Sequence, residues 1–486
     1  MDHKTSESCW EQLWNTFTAW EIPIHGLLVS QKDTLLWESY QPPYQADTLH
    51  RMFSITKSYC SLAVGSLAAE GKLSLDDPII RFFPEYLPPD KEIHPYLRDM
   101  TIRHMLRMET CHSSTTYKLH SDQNWVESFF ITPPSHKSGQ IFLYDTSSSH
   151  TMAALVKKLT GKGVLDYLRG QFLDSIGFSK EAYIISDPFG SEMGGSGLMA
   201  RPRDLMATAR YIMDQIKHGT DAFADYLREA VSFQTPTLHS GQTLDEQQGY
   251  GYQFWRIRDG FAMYGMGGQY VLFYPQWDLI AAVTADSQNI KGGTQKILDA
   301  LRNAVLTACL GKNASGIPCA DTFYGRNPGS DDCCTDSPGS DPLHAGSSCS
   351  DQLHTGSAPR DNLLTPVFFR LLPSKSGFTD LSLRADSQEG FLTLTGPKGI
   401  SQIPFGFHGL KTGILSPYGE PIASRGQWLG RDSLLIRTQI TGESVGSLTF
   451  MLRLRPDGLT LWMKKVEETF FGEFDGFAEG VRVTKA

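Results

Sequence analysis

A serine and a lysine three residues apart are the first pair in the chain that could carry out chemistry. Ser54 and Lys57 belong to Ser54-Ile55-Thr56-Lys57, the one Ser-x-x-Lys segment in the sequence. On a helix this spacing places both side chains on one face. The Ser54 hydroxyl could then attack a carbonyl carbon while Lys57 takes up its proton, provided that burial lowers the pKa of the amine from about 10.4 toward about 7. The motif alone leaves open another interpretation, in which Ser54 only caps a helix and Lys57 is solvated.

The segment that follows Ser54 must hold this pair in place, and its pattern is helical. Apolar residues recur at helical spacing and Gly71 then offers a stop; these residues are Ile55, Tyr59, Leu62, Ala63 and Leu67. A helix that begins near Ser54 directs free backbone N–H groups and the positive end of its dipole toward the serine. An oxyanion that forms beside Ser54 would therefore be stabilised.

The wider pattern predicts an α/β domain over residues 1–312. The expected elements are a β-hairpin at 25–39, helices at 101–109, 148–160, 202–217 and 295–310, and strands at 250–257 and 269–284. Helices mixed with strands, and strands near both ends, are typical of a layered α/β body.

The composition then changes abruptly. Residues 313–361 are rich in Gly, Ser, Asp and Pro and contain near-duplicate stretches, which predicts a disordered linker because little apolar surface is available to bury. After it, apolar residues alternate on both sides of the turn Pro456-Asp457-Gly458. This alternation predicts a hairpin inside a C-terminal β domain over 362–486, a small antiparallel barrel or sandwich.

Several blocks of the chain, in the same order, resemble the β-lactamase-related serine hydrolases. This superfamily includes class C β-lactamases, DD-peptidases, family VIII esterases and 6-aminohexanoate-dimer hydrolases. Its Ser-x-x-Lys serine opens a helix and is followed by a Gly-Lys-Leu-x-Leu-Asp-Asp-Pro stretch, which stands here at 71–78. The similarity extends over about residues 20–310, through TIRHMLRMET at 101–110, GGSGLMARPRDLM at 194–206 and GMGGQYVLFYPQWDLIAAVT at 265–284. It implies a β-lactamase/DD-peptidase-like antiparallel sheet flanked by helices, with Ser54 as the nucleophile and Lys57 as part of the base.

The tyrosine motif of the superfamily, a Tyr followed two places later by Asn or Ser, has a counterpart in Tyr144-Asp145-Thr146. The resemblance gives Tyr144 a share of the proton transfer with Lys57. We expect the lysine ammonium to make the Tyr144 phenolate more accessible. Thr146 takes the substrate-binding position but lacks the amide of the common Asn, which argues against β-lactam recognition.

The third motif of the superfamily has two candidates. The segment 265–269 resembles the Gly-x-x-Gly-Gln stretch of the 6-aminohexanoate-dimer hydrolases, which implies an oxyanion hole formed by the backbone N–H groups of Ser54 and Met266. The same match assigns substrate contacts to Gly265, Gly267 and Gln269. The literal Lys411-Thr412-Gly413 lies in the β-rich tail, and we predict it to be a chance β-turn. Without that lysine the site lacks a cation for a substrate carboxylate, which favours esters or amides over penicillins.

Charge and composition exclude several classes of function. The formal net charge of −9 offers no field that attracts a polyanion, so we expect no nucleic-acid binding. The start of the chain lacks the positive and apolar regions of a signal peptide, and no segment reaches the roughly 18 apolar residues of a membrane helix. The expectation is a cytoplasmic protein with no membrane contact. We also expect no cofactor and no metal, because Cys319, Cys333, Cys334 and Cys349 show no Cys-x-x-Cys spacing.

The sequence therefore predicts a serine hydrolase that acts on a small-molecule ester or amide, with a homodimer as a further expectation. Two alternatives stay open. One is a DD-peptidase or β-lactamase, against which the missing export signal argues because its substrate lies outside the membrane. The other is a non-catalytic binding or sensor protein on the same fold, against which the joint presence of Ser54, Lys57 and Tyr144 argues.

Overall fold

The computed structural model describes residues 3–87, 92–120, 122–310, 364–466 and 471–483. The chain divides into two compact units, one formed by Met1–Ala314 with Thr441–Val445 and the other by Ser315–Ile440 with Gly446–Ala486. The whole predicted linker, 313–361, with its four cysteines, lies outside the described residues. None of the helices in the described part of the chain is long and apolar enough to cross a membrane.

The first unit contains both helices and strands. Its helices are α1 (His3–Ala19), α2 (Ile55–Ala69), α3 (Pro95–Arg98), α4 (Ile102–Leu106), α5 (Trp125–Ile131), α6 (Thr146–Thr160), α7 (Val164–Leu168), α8 (Pro202–His218), α9 (Ala222–Ala230) and α10 (Gly293–Leu310). Its strands are β1 (Ile24–Gln31), β2 (Thr34–Tyr40), β3 (His50–Arg51), β4 (Tyr183–Ile184), β5 (Leu198–Ala200), β6 (Trp255–Ile257), β7 (Gly260–Gly265), β8 (Gln269–Tyr274) and β9 (Leu279–Ala285).

A six-stranded antiparallel sheet forms the middle layer of this unit. Its strand order is β2-β1-β9-β8-β7-β6. Successive side chains of β1 point to opposite faces: Leu27 and Val29 join the apolar cluster of α1 and α10, whereas Leu28 joins that of α2 and α8. Both faces are therefore covered by helices. The predicted antiparallel sheet flanked by helices is confirmed.

Helix α2 is deeply enclosed, with every residue from Ile55 to Leu67 buried. A Cβ at Gly65 would lie 2.2 Å from the Tyr226 ring, so this glycine lets α9 pack directly on α2. The chain that leads into α2 is joined to β5, since the Met52 N–H donates to the Leu198 carbonyl at 2.8 Å. The start of α2 is thereby placed beside the segment that precedes β5.

The second unit is an antiparallel β domain. Its strands are β10 (Val367–Leu371), β11 (Asp380–Ala385), β12 (Glu389–Gly396), β13 (Gly399–Gly406), β14 (Lys411–Leu415), β15 (Glu420–Trp428), β16 (Ser433–Ile440), β17 (Gly446–Leu454), β18 (Gly458–Val466) and β19 (Gly476–Val483). They follow the order β13-β12-β11-β10-β19-β18-β17-β16-β15-β14, and an additional pairing of β13 with β15 closes them into a barrel. Leu448, Phe450 and Leu452 alternate into its core, as the sequence pattern predicted.

Three local predictions were incomplete or wrong. The stretch 269–284 forms two strands, β8 and β9, rather than one. Pro275 has no N–H to donate to a strand-pairing hydrogen bond. A short 3₁₀ turn then reverses the chain and ends at Asp278, which has a left-handed backbone. Strand β7 was not predicted. Lys411-Thr412-Gly413 is the start of β14 rather than a turn, because it pairs in register with Ala423 and its neighbours on β15.

Candidate active site

Ser54 stands at the N-terminus of α2, where the chain turns sharply into the helix. Phe53, just before it, has a left-handed backbone with φ of 45°, which strains a residue that carries a Cβ. Thr56 holds this turn, since its hydroxyl donates to the Phe53 carbonyl at 2.6 Å and accepts the Leu198 N–H at 2.9 Å. Ser54 makes no side-chain capping bond, so the interpretation of this residue as a simple helix cap is wrong.

Lys57 lies one turn into α2 and is buried, with 1% of its surface exposed. Its Nζ lies 3.0 Å from Ser54 Oγ and donates to the Gly195 carbonyl at 2.6 Å. Burial lowers the pKa of Lys57 to about 7, because the charged form is poorly solvated there. The alternative of a solvated lysine is therefore wrong. Above neutrality the amine can give one N–H to Gly195 and turn its lone pair toward the Ser54 hydroxyl.

Tyr144 lies two residues before α6, on the side of Lys57 and Ser54. Its ring centroid is 4.9 Å from Lys57 Nζ. Burial raises the pKa of Tyr144, against the opposing effect of the nearby Ser54 side chain. The expectation of a more accessible phenolate is wrong, because burial disfavours both the phenolate and the ammonium that would stabilise it. Tyr144 is placed to hand on a proton as a neutral phenol.

Thr146 and Gly195 meet on the far side of Lys57. The Thr146 N–H donates to the Thr115 hydroxyl at 3.2 Å, which joins the turn at Thr115 to the start of α6. A Cβ at Gly195 would lie 2.2 Å from Thr146 Cγ2 and 3.4 Å from Lys57 Nζ. Only a glycine leaves room for its own carbonyl to reach Lys57 at this point.

A tight turn, Met266 to Gly268, joins β7 to β8 beside the start of α2. A Cβ at Gly265 would lie 2.2 Å from the Met52 carbonyl oxygen, so this glycine permits close approach of β7 to the segment that leads to Ser54. Gly267 and Gly268 have φ of 82° and 95°, which suits glycine. The predicted residues of this motif are thus brought near the Ser54 end of α2.

Gln269 holds that turn from within. The side chain is fully buried; its amide donates to the carbonyls of Met266 at 2.9 Å and Ala285 at 2.7 Å and accepts the Ala285 N–H at 3.1 Å. The structure therefore places Gln269 as a support for the turn, which differs from the substrate contact expected from the sequence.

Among the backbone hydrogen bonds of the described residues, the N–H groups of Ser54 and Met266 donate to no carbonyl.

A cluster of aromatic side chains lies on one side of Tyr144. Trp255 stacks on it, with ring centroids 5.8 Å apart and planes at 19°. Phe142 and Tyr250 pack in turn on Trp255 at 5.7 and 4.8 Å. This wall keeps water from one side of the catalytic candidates and lowers the local dielectric, which strengthens electrostatic interactions there.

Sequence reasoning did not single out Gly195 or Trp255. Gly195 belongs to the run Gly194-Gly195-Ser196-Gly197, and such a run of small residues beside a motif is the signal of a close backbone approach. Trp255 carries no such signal, since the aromatic residues near 249–277 predict core and pocket wall together and do not distinguish one ring from another. No group of three or more His, Cys, Asp or Glu side chains that could hold a metal occurs within the ranges that the structure describes.

Two known proteins resemble part of the chain. The 6-aminohexanoate-dimer hydrolase of Paenarthrobacter ureafaciens is 23% identical over 202 residues, which cover 39% of this chain and 52% of that protein. Esterase EstB of Burkholderia gladioli is 48% identical over 46 residues, which cover 10% of this chain and 12% of the esterase. The match thus spans about half the length of the first relative and an eighth of the second.

A solved structure and a family model extend the likeness. A Bacteroides dorei protein assigned to the beta-lactamases shares the fold with a TM-score of 0.50 and 15% identity, over 61% of this chain and 98% of that one. The family model described as Beta-lactamase matches residues 18–304, which is more than half of the chain and includes Ser54, Lys57, Tyr144 and Met266. The chain therefore belongs to the Beta-lactamase family.

Proposed function

We propose that this chain is a serine hydrolase that cleaves an ester or amide bond through an acyl-enzyme on Ser54. The observation that carries the proposal is the buried Lys57, whose Nζ lies 3.0 Å from Ser54 Oγ and whose pKa is lowered to about 7. A surface lysine could not act as a base near neutrality, whereas this one can. We assign the reaction to residues 1–312, with 313–361 as a linker and 362–486 as a separate β domain.

The acylation step begins with the neutral Lys57 amine. Lys57 takes the proton of Ser54 while Oγ forms a bond to the substrate carbonyl carbon, and the carbonyl oxygen becomes an oxyanion. The free N–H groups of Ser54 and Met266 are the donors proposed to receive this charge, and the loss of one such donor typically costs about 10²–10³ in rate.

The leaving group must take up a proton as its bond to the carbonyl carbon breaks. Tyr144 is proposed to supply it from its neutral phenol and to recover one from the Lys57 ammonium. Water then attacks the acyl-enzyme and gives its proton to Lys57. As the bond between the acyl carbon and Ser54 Oγ breaks, Lys57 passes that proton to Oγ, which restores the Ser54 hydroxyl and the neutral amine. Thr146, beside Lys57, is proposed to contact the substrate at this side of the site.

The choice of ester or amide over penicillin rests on two observations. The names of the two relatives specify an aminohexanoate-dimer hydrolase and an esterase. The segment 265–269, which stands in the place of the superfamily's third motif, contains no lysine that could bind a substrate carboxylate. The alternative function is that of a DD-peptidase or β-lactamase, and the experiment must distinguish it from ester or amide hydrolysis.

The test combines covalent labelling with turnover. A fluorophosphonate probe should label the wild-type chain and short-chain p-nitrophenyl esters should be hydrolysed, and both signals should vanish in Ser54→Ala. Ser66→Ala is the matched control, because this serine lies on the same helix and its hydroxyl donates to the Leu62 carbonyl of that helix. Unchanged labelling and turnover in Ser54→Ala would refute the proposal, and nitrocefin hydrolysis that rivals ester turnover would favour the β-lactamase alternative.

A further inference from the structure

A carboxylate is buried between two of the residues discussed above. Asp145 follows Tyr144, precedes Thr146 and has no exposed surface. It caps α6 and accepts hydrogen bonds from the Ser147 N–H at 2.9 Å, from the Ser147 hydroxyl and from the Thr110 hydroxyl at 3.3 Å. Three donors around one buried side chain indicate a site that accommodates a negative charge.

Helix capping alone does not account for a buried charge at this position. Asn caps helices about as well as Asp, and Asn124 caps α5 in this chain with a neutral amide. Burial raises the pKa of Asp145 to about 6, against the opposing effect of its hydrogen bonds. The carboxyl is therefore ionised above that pH, inside the protein and next to the catalytic candidates.

Both chain neighbours of Asp145 lie beside Lys57. The Tyr144 ring centroid is 4.9 Å from Lys57 Nζ, and Thr146 packs on Gly195, whose carbonyl accepts the Lys57 Nζ hydrogen bond. This placement brings the buried carboxylate within electrostatic range of Lys57.

Burial has the largest effect on the pKa of Lys57 and lowers it. Of the nearby charges, those of Cys60 and Asp145 raise the pKa of Lys57, and that of Lys118 lowers it. Burial also raises the pKa of the Cys60 thiol, which is therefore uncharged where Lys57 titrates, and the Tyr144 phenol is neutral for the same reason. Among the described groups that act on Lys57, Asp145 thus supplies the negative charge.

We propose that Asp145 is a positioning residue for the acyl transfer, whose buried carboxylate stabilises the ammonium form of Lys57 as that side chain takes up the Ser54 proton. The inference rests on the proposed function. Asp145 exchanges no proton itself: the proton moves from Ser54 Oγ to Lys57 Nζ, and the carboxylate balances the new positive charge in a medium where water cannot do so.

The decisive variant is Asp145→Asn, which keeps the cap and removes the charge. The Lys57 Nζ can be titrated directly through its ¹³Cε resonance in lysine-labelled protein, with the signal assigned by its loss in Lys57→Met. We expect the pKa of Lys57 to fall by on the order of one unit, as for loss of a close opposite charge. The rise of kcat/KM with pH should move to lower pH by the same amount, and the plateau kcat should fall roughly threefold to tenfold because the base is weaker.

Asp221→Asn is the matched control, because Asp221 caps α9 by accepting the Ala224 N–H at 2.8 Å and does not act on Lys57. It should leave the titration and the pH profile unchanged. Asp145→Ser is the second variant, for use if Asp145→Asn does not fold, since serine also caps without charge.

An unchanged Lys57 titration in a folded, uncharged variant would overturn the role of Asp145, even if the wild type turns over esters. The titration needs no substrate. A shifted Lys57 resonance in a chain without Ser54-dependent turnover would leave the electrostatic pair in place and refute the proposed function instead.

Discussion

A single methyl group at Gly195 should weaken catalysis by displacing the carbonyl that orients Lys57. In Gly195→Ala the new Cβ would lie 2.2 Å from Thr146 Cγ2 and 3.0 Å from the Thr146 carbonyl oxygen. Carbon atoms at favourable contact are about 3.5–4.0 Å apart, so the chain at residue 195 must move by more than about 1 Å. The φ of Gly195 is not left-handed, and the effect is therefore one of contact rather than of backbone conformation.

The displacement removes the hydrogen bond in which Lys57 Nζ donates to the Gly195 carbonyl at 2.6 Å. A hydrogen bond to a charged group contributes about 1.5–3 kcal/mol, and about 1.36 kcal/mol corresponds to a factor of ten in rate. If the bond is needed as Lys57 becomes charged, kcat/KM should fall by about 10- to 150-fold. The assay is hydrolysis of a short-chain p-nitrophenyl ester near pH 8, where the wild-type Lys57 is mostly neutral.

Gly170→Ala is the control, because nothing lies within 4 Å of a Cβ at that position. It should keep wild-type kcat/KM. Thermal unfolding of both variants separates a local change from loss of the fold. Wild-type kcat/KM in a folded Gly195→Ala would refute the reasoning that this carbonyl orients the base.

Two further predictions concern the turn from Met266 to Gly268 and the stability of the fold in acid. Gln269→Leu removes the amide that donates to the Met266 carbonyl, so kcat should fall about 10²-fold with little change in KM. Gln276→Leu, at an exposed position, should leave kcat unchanged. A raised KM at unchanged kcat in Gln269→Leu would contradict this prediction. His25 and His50 are buried, and His25 Nδ1 lies 2.8 Å from His50 Nε2. Burial lowers the pKa of His50 to about 4. Below pH 6.5 the unfolded chain therefore binds more protons than the folded chain. The free energy of unfolding, measured with urea, should drop by roughly 3 kcal/mol as the pH falls toward 4. An equal drop in His50→Asn would show that another group is responsible.

Much of the fold follows from local pattern. The helix after Ser54, the hairpin at 25–39 and the alternation around 456–458 all appear where the sequence predicts them, because each is set by residues within one or two turns of chain. Strand β7 escaped prediction because its short run of apolar residues carries no periodicity that distinguishes a strand from a helix. Lys411-Thr412-Gly413 was misassigned for a related reason, since pairing with β15 decides its conformation.

The sequence by itself determined the spacing of Ser54 and Lys57 on one helical face and the order of the motifs that follow, because both are properties of the linear chain. The tertiary structure alone decided that Lys57 is buried, with a lowered pKa, rather than solvated. Its burial, its hydrogen bond to Gly195 and its interaction with Asp145 come from segments about 140 and 90 residues away. Desolvation and electrostatic interactions depend on distance in space, and no pattern along the chain measures that distance.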